Sequence, residues 1–506
     1  MAREKVKPQN RMRIILGVFI CGVLCASCVP KHGNTAVILS FLLMCAMYAA
    51  ALWGGSKAAA FLALVFAIGF GRTVAAEFPA RTDLSTFPPG NSVVLRVRND
   101  PILTDTGYMI CECDAVRLVR GQEEYKVTGG VKVSGKDIIL RYGDVFMTNA
   151  PVRGLSKVRN PGVLSEYERG VRKGIRSKVY ISPKNTCDVI GAGGNPIKRL
   201  SYFAKHRIMT SIEAMHPGPA GDLIEGITLG TYSSLSREIT DDFARDGTSH
   251  ILAASGFNCA VLWYAVIFLV AIVFGKPKQA WIVTIFALIV YVFIVGGSSS
   301  VIRAFAMLAL YLCAKPLKRI AIPENILLSA VLIILLCNPL LLFDVGMLLS
   351  VACVAALFFA GPFVLALSEK RDFNPSHIGK FGRTSVASSL FVLWVTIFTA
   401  PIMMYIFNRF PLMSVPANMV VSITAPILLI IGLIDPLVMG VPLVSMFVAF
   451  IGDIVADATL LITEIFSFVP DMTVPTPPLW LVFIMYGAIF WGAAYVNNKY
   501  IDPERP

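Results

Sequence analysis

Residues 249–274 read SHILAASGFNCAVLWYAVIFLVAIVF, and the fold class turns on how this run is taken. Its apolar part carries no charge and is long enough to cross the ~30 Å hydrocarbon core of a bilayer. Its beginning places His250, Ser255, Gly256, Asn258 and Cys259 where a lipid-facing span would carry Leu or Val. Those groups suggest three chemistries: a serine–histidine hydrolase, a metal site, or the lining of something that crosses a membrane.

The hydrolase does not fit. In a continuous helix His250 and Ser255 are five positions, about 140°, apart around the axis, whereas a nucleophile and its base need hydrogen-bond reach. The nearest acid, Asp246, lies beyond Gly247 and is a poor orienter. A metal fits no better. The five histidines (His32, His206, His216, His250 and His377) form no close pair, and Glu213 with His216 or Asp246 with His250 supplies too few ligands. No GxxxxGK[ST] phosphate loop occurs. The expectation is a non-enzyme with no metal and no cofactor. What remains is a helix face on which Ser255, Asn258, Cys259 and Leu262 follow at three- and four-residue spacing, suited either to tight packing or to a wet lining.

The same apolar character runs through most of the 506 residues. The chain is 56% hydrophobic with a mean hydropathy of +0.69, which leaves a soluble protein too little polar surface. About nine spans follow from residue 249, near 250–274, 279–296, 301–314, 324–337, 343–366, 384–405, 412–434, 440–469 and 479–496. The loops GKPKQ, AKPLKR and SEKRDFNPSHIGKFGR are basic and alternate with less basic ones. Three apolar runs precede residue 80, the first behind Arg3, Lys5, Lys7, Arg11 and Arg13, so both termini are expected in the cytoplasm. Span 301–314 is short and span 412–434 holds Pro416 and Pro426; broken segments are tolerated where they line a cavity.

Residues 80–200 differ in kind. Alternating runs such as SVVLRVR, GYMICECDAVRL and KDIILRYGDVFM, divided by Gly, Asp and Asn, predict a small β-barrel outside the membrane. Met109, Cys111, Cys113 and Ala115 share one strand face, which makes both cysteines core residues; pairing of one of them with Cys187 stays open. Between residues 88 and 208 stand 21 Lys/Arg against 11 Asp/Glu, a surplus suited to a polyanion or to anionic headgroups. Residues 201–247 read as an interfacial amphipathic segment followed by GITLGTYSSLSREITDDFARDGT, too polar to cross and expected at the outer surface or in a cavity. The expected organisation is therefore 1–79, three spans; 80–200, the external β domain; 201–247, the interfacial segment; 248–506, the helical domain. In all this is a polytopic α-helical membrane protein of about twelve spans.

Several polar residues at membrane depth need a purpose. Arg303 heads the short span, where it either snorkels or serves an interior site. Asp344 and Ser350 follow NPLLLF; Asn408, Arg409 and Asn418 bracket FPLMSVP; Asp435, Asp453, Asp457 and Glu464 lie in the last apolar stretches, open to pairing or to proton coupling.

At these residues the chain resembles the ComEC family, the inner-membrane DNA channel of natural transformation. His250, Leu252–Ala253, Ser255–Gly256 and Phe257–Asn258 are similar to its histidine–LLA–SG–LH signature. GGSSSVIRAFAM, with Arg303, resembles its Ser-Val-Leu-Arg-Ala core, and NPLLLFDVGMLLS, with Asn338, Asp344, Gly346 and Ser350, its Asn-Pro-hydrophobic-Asp-x-Gly block. The Asn418 region resembles its Pro–Phe–Ser–Asn–Pro block, and RNPGVLSEYERGVRKGIRSKVYI the pattern of its external OB-like domain. Asn258 replaces the usual second histidine, Leu348 a glutamine and Ser299 a proline. The resemblance implies a channel for single-stranded DNA in the bacterial inner membrane, with the OB-like domain periplasmic or extracellular. Implied partners are single-stranded DNA, membrane lipid, an external DNA receptor or pilus and a cytosolic helicase, with self-association into a homo-oligomer open. Many members continue into a metallo-β-lactamase-like domain; no histidine-rich ligand motif follows here, so a nuclease is expected to be absent or separately encoded. OB folds hold single strands by a basic groove and stacking aromatics. Candidate contacts are Arg96, Arg98, Arg141, Arg153, Lys157, Arg159, Arg172, Lys173 and Arg176, with few aromatics to stack; a lid or dimerisation role for this domain is the alternative. Two other readings stay open for the whole chain: an ion-coupled transporter of small solutes using the late acids, and a non-transporting membrane scaffold.

Overall fold

The structure, a computed structural model, describes residues 8–27, 57–80, 82–88, 90, 92–104, 107–157, 165–231, 235–275, 280–314, 316–318, 320–369, 380–469 and 471–500. The chain divides into two compact units, residues 1–199 with 306–344 and residues 200–305 with 345–506.

The first unit joins helices to a nine-stranded sheet. Helices α1 (Pro8–Ser27) and α2 (Lys57–Glu77) pack together; the expected span at 36–54 lies outside the described residues. The strands are β1 (Ser92–Val97), β2 (Ile102–Leu103), β3 (Tyr108–Arg120), β4 (Glu123–Lys126), β5 (Gly130–Lys136), β6 (Asp144–Thr148), β7 (Val152–Gly154), β8 (Ile175–Ile181) and β9 (Cys187–Ala192), with the short helix α3 (Glu166–Arg172) before β8. Along the main path they run β7-β8-β5-β3-β1-β6-β9, and β2 and β4 both pair with β3. All pairs are antiparallel except β5–β8. Strand alternation sends every second residue inward, so Val93, Leu95 and Val97 meet Cys111, Cys113, Ala115, Val131, Val133, Phe146, Val179 and Ile181 in one core. Cys111 and Cys113 are buried as expected, with sulfurs 3.6 Å apart, and Cys187 is a free thiol.

Two details differ from expectation. The sheet path is open, since β7 and β9 end it and do not pair among the described residues. KDIILRYGDVFM is not one run: left-handed Asp137 (φ 59°) ends β5, and β6 begins only at Asp144.

The second unit is helical. After α4 (Pro196–Met215) come α5 (Pro219–Leu229), α6 (Arg237–Arg245) and α7 (Ser249–Leu252). The nine expected spans each coincide with a helix: α8 (Gly256–Phe274), α9 (Ala280–Ile294), α10 (Ser299–Ala314), α11 (Pro323–Cys337), α12 (Val345–Glu369), α13 (Lys380–Phe407), α14 (Ser414–Val438), α15 (Pro442–Ser467) and α16 (Leu479–Tyr500). Of these, α11 and the part of α10 from Ala306 belong to the first unit. Five described helices are long and apolar enough to cross a membrane, at 58–77, 256–273, 389–407, 414–438 and 442–467; five shorter apolar helices lie at 280–294, 299–314, 323–337, 345–358 and 479–493. Helix α14 stays continuous through Pro426, so the prolines do not break this segment.

Helix α5, expected at a surface or in a cavity, is instead the centre of its unit. Its residues from Ala220 to Leu229 are buried apart from Asp222, and Leu223, Ile224 and Ile227 pack with Phe243, Leu252, Val421, Ala425, Leu428 and Ala456. Its polarity misleads because Thr228 meets Gly432 of α14, where a Cβ would lie 2.3 Å from the threonine hydroxyl, while Gly221 and Gly226 admit the chain just before and just after the helix, at His216 and at Thr231 and Leu235.

The opening stretch is also not one helix. Residues 253–255 are extended, with Ala253 at φ −79°, ψ 137° and Ser255 at φ −114°, ψ 170°. The end of α5 docks there: Gly230 is left-handed (φ 70°), and a Cβ on it would sit 2.7 Å from the Ala254 nitrogen. Only glycine serves both the turn and the approach.

Candidate nucleic-acid interface and buried polar sites

On the sheet unit, the end of β1, the middle of β3, the loops 141–143 and 193–195 and the first turn of α4 line a cleft of about 270 Å³ with Arg96, Arg98, Asp114, Tyr142, Asn195 and Lys198. One carboxylate serves both arginines: Arg96 Nη2 is 3.2 Å from Asp114 Oδ2, and Arg98 Nη1 is 4.0 Å from Oδ1. Three cations thus face one anion. Both pairs are exposed, and such pairs are weak and exchangeable, so an incoming phosphate can compete for the guanidinium groups. The Tyr142 hydroxyl accepts the backbone N–H of Asn195 (3.0 Å), which fixes an aromatic ring in the cleft.

Only Arg96 and Arg98 of the nine expected contacts meet there. Arg141 is exposed beside Tyr142, and Arg153 is exposed on β7. Lys157 lies over the Tyr167 ring (5.3 Å), and Lys173 reaches Glu112 at 3.4 Å. Arg159 lies outside the described residues. Arg172 and Arg176 serve the fold. Arg176 pairs with buried Asp83 at 3.2 Å and donates to the carbonyls of Ala76 (2.8 Å) and Glu77 (3.1 Å) at the end of α2, the ordinary use of a cation at a helix C-terminus. Arg172 donates to the Phe343 carbonyl, its guanidinium 5.9 Å from that ring, while Asn338 Nδ2 donates to the Arg172 carbonyl (3.1 Å). Asn338 also caps the 3₁₀ turn Pro339–Phe343 through the Leu340 N–H, and Asp344 closes that turn. Lys198 and Asn195 went unseen in the sequence; the signal was GAGGNPIKR, glycines that bring backbone close followed by two cations.

In the helical unit the signature residues are mostly internal. Asn258 is 2% exposed. Its Nδ2 donates to the Ile227 carbonyl (2.9 Å) and lies 3.0 Å from the Tyr291 hydroxyl, which donates to the Thr228 carbonyl (3.0 Å). The last carbonyls of α5, which have no intrahelical partner, are therefore satisfied by α8 and α9. Ser255 donates to Asn258 Oδ1 at 3.2 Å. Arg303 does not snorkel: it is 3% exposed and donates to the Gly346 carbonyl (2.7 Å) and Ser300 Oγ (3.0 Å), joining two signature blocks. Gly256 faces the Ala304 methyl, where a Cβ would lie at 3.1 Å. His250 is exposed. Asp246 does not orient it, since its Oδ1 takes the Thr248 N–H (2.9 Å) and hydroxyl (2.5 Å). Burial pushes the Asp246 carboxyl up to about 6 in spite of these bonds. Ser350 and Asn418 are half-buried, the latter donating to the Ser414 carbonyl at 2.7 Å. Asn408 is left-handed (φ 58°) and precedes a two-residue strand, Arg409–Phe410, paired with Met472–Thr473.

The late acids split. Asp435 and Asp453 both face His216, at 3.4 and 2.7 Å, whereas Asp457 and Glu464 are exposed.

Comparison with known proteins fits this arrangement. A stretch of 217 residues, 42% of the chain, is 30% identical to ComE operon protein 3 of Bacillus subtilis (strain 168) and covers 26% of that protein, so the chain matches about a quarter of its relative's length. No solved structure matches. The family described as competence protein matches residues 227–499, more than half of the chain and nearly all of the helical unit with its Asn258 and Arg303 braces, and the chain belongs to that family, ComEC.

Proposed function

We propose that this protein moves single-stranded DNA across the bacterial inner membrane during natural transformation. The observation that carries the reading is the competence-family match over residues 227–499. The basic cleft supports it by offering phosphates two arginines and a lysine beside one aromatic ring. In this reading the chain crosses the membrane about twelve times with both termini in the cytoplasm. The sheet unit lies outside and acts as an OB-like receiver for the strand delivered by an external receptor or pilus. The signature residues His250, Ser255, Gly256, Asn258, Arg303, Gly346, Ser350 and Asn418 hold the translocation unit in register. A cytosolic helicase acts on the strand as it arrives.

Deleting the gene and following labelled transforming DNA tests this directly. The expected result is DNA retained outside the cytoplasm; normal cytosolic arrival overturns the reading. One observation favours a second reading, ion-coupled transport of a small solute, namely the pairing of Asp435 and Asp453 with His216. A deletion strain with normal DNA arrival and a lost solute flux would select it.

A further inference from the structure

His216 lies between α4 and α5, far in sequence from Asp435 on α14 and Asp453 on α15, yet the three side chains meet inside the helical unit. Its Nδ1 is 2.7 Å from Asp453 Oδ1 and its Nε2 is 3.4 Å from Asp435 Oδ2. The imidazole and Asp435 side chains are 0% exposed, and that of Asp453 is 42% exposed. Both Asp435 oxygens are buried without a hydrogen-bond partner. The ring fits because residue 452 is glycine: a Cβ there would lie 2.4 Å from His216 Cε1.

Charge counting makes this trio unusual. A neutral imidazole donates from one nitrogen only, and the other would direct its lone pair at a carboxylate. Protonating the ring while both carboxylates stay ionised leaves one uncompensated negative charge. In a buried site such a charge is costly, and the usual escape is neutralisation by a proton. Other charged groups on the elements packed around it are Lys205 and Glu213 (α4), Asp222 and Glu225 (α5), Asp241, Asp242 and Arg245 (α6) and Asp457 (α15), and among the described residues the carboxylates within 4 Å of the ring are those of Asp435 and Asp453. Counting the ring's own N–H, the trio is neutral with three protons and carries one negative charge with two, one on the ring and one on a carboxyl group; the two-proton state leaves one ring nitrogen and one carboxylate free to accept.

A route to it lies on α15. Asp453, Asp457 and Glu464 follow at spacings of four and seven, along one helix face, and Asp457 and Glu464 are exposed. A row of carboxylates facing hydrocarbon is strongly disfavoured, and such residues face wet or protein-lined space.

We propose that His216, Asp435 and Asp453 form a proton-binding relay in the competence unit, with Asp453 as its wet mouth, Asp435 as its buried terminus and His216 as the carrier. In one transfer the Asp453 O–H breaks and its proton bonds to His216 Nδ1. The Nε2–H breaks in turn, and that proton bonds to an Asp435 oxygen. One O–H and one N–H are lost, one of each forms, the ring changes tautomer, and the charge of the trio is unchanged. One proton has moved from the exposed to the buried carboxylate.

The test is pH-difference infrared spectroscopy of the full chain in lipid nanodiscs, in H2O and D2O. A protonated-carboxyl C=O band that titrates and shifts in D2O is expected. It should vanish in Asp435→Asn and persist in Asp457→Asn, an exposed acid one turn along. Gly452→Ala keeps all three groups but displaces the ring, and should move the titration midpoint by about one pH unit; it decides the matter if Asp435→Asn fails to fold. A band unchanged in Asp435→Asn, an unmoved midpoint in Gly452→Ala, or no titrating carboxyl band at all overturns the relay and leaves a fixed ion pair. None of these readouts involves DNA, so the relay and the translocation reading fail separately.

Discussion

Asn258→Ala tells packing from lining at the most buried polar side chain of the opening stretch. In the structure the Asn258 amide bonds the Ile227 carbonyl and the Tyr291 hydroxyl and accepts from Ser255. A net hydrogen bond contributes about 1 kcal/mol, and interhelical ones in membranes average about 0.6 with values up to about 2. Losing three, one of which strands a helix-terminal carbonyl in an apolar site, should cost about 2–3 kcal/mol. Tyr291→Phe should cost about 1 kcal/mol, because it frees the Thr228 carbonyl and one Asn258 contact. The two substitutions remove a shared bond, so the double variant should fall short of additivity by about 1 kcal/mol. Reversible unfolding of the reconstituted protein, followed by tryptophan fluorescence, measures all three. Asn258→His can offer one donor and one acceptor, and should recover about half of the alanine loss. An alanine variant within about 0.5 kcal/mol of wild type, additive with Tyr291→Phe, would refute the network and return Asn258 to a hydrated wall.

Other expectations follow from the same geometry. Arg303→Lys should cost about 1 kcal/mol and Arg303→Ala more, since a lysine ammonium cannot span both the Gly346 carbonyl and Ser300; unfolding measurements beside transformation frequency check this. Removing Arg96, Arg98 or Lys198 singly should lower the slope of log K against log salt for single-stranded DNA by about 0.7 each, read by titrating the full chain. Arg176→Ala should leave that slope unchanged and cost about 3 kcal/mol, because it strands Asp83 in a buried site. The Asp246 carboxyl, raised by burial from 3.8 to about 6, holds its proton more tightly folded than unfolded. Its contribution to stability is complete below its unfolded value and is lost as the pH rises through about 6. Asp246→Asn should flatten that limb of the stability–pH curve.

Much of the helical unit was legible because a long apolar run has one main meaning. Nine expected spans became nine helices, and the buried face of β3 followed from alternation at Cys111, Cys113 and Ala115. What failed depended on partners far along the chain. The end of helix α5, from Gly226, looked too polar to be central, since nothing local reveals that Thr228 will face Gly432 of α14. Arg172 and Arg176 looked like DNA contacts because their carbonyl acceptors at 343, 76 and 77 lie about 100 or more residues away. The break at 253–255 had a local sign in Ser255–Gly256, a serine N-cap before a glycine, but its cause is Gly230.

The same distinction bears on where a strand could pass. Asn258 and Arg303 attract attention as polar residues in apolar helices, yet both end on backbone carbonyls, Ile227 and Gly346, and are nearly dry. A group that lines a passage must be reachable by water, and these two residues are 2% and 3% exposed. The signature is thus a set of braces: α8 and α9 are tied to the end of α5, and α10 to the start of α12. The polar face that keeps its capacity is on α15, where Asp457 and Glu464 are exposed and Asp453 is half-exposed beside His216. If translocation uses a wet face of this unit, substitutions at Asp457 and Glu464 should alter transformation without altering stability, whereas those at Asn258 and Arg303 should alter both. Stability unchanged in all four variants would separate the braces from the fold they are inferred to hold.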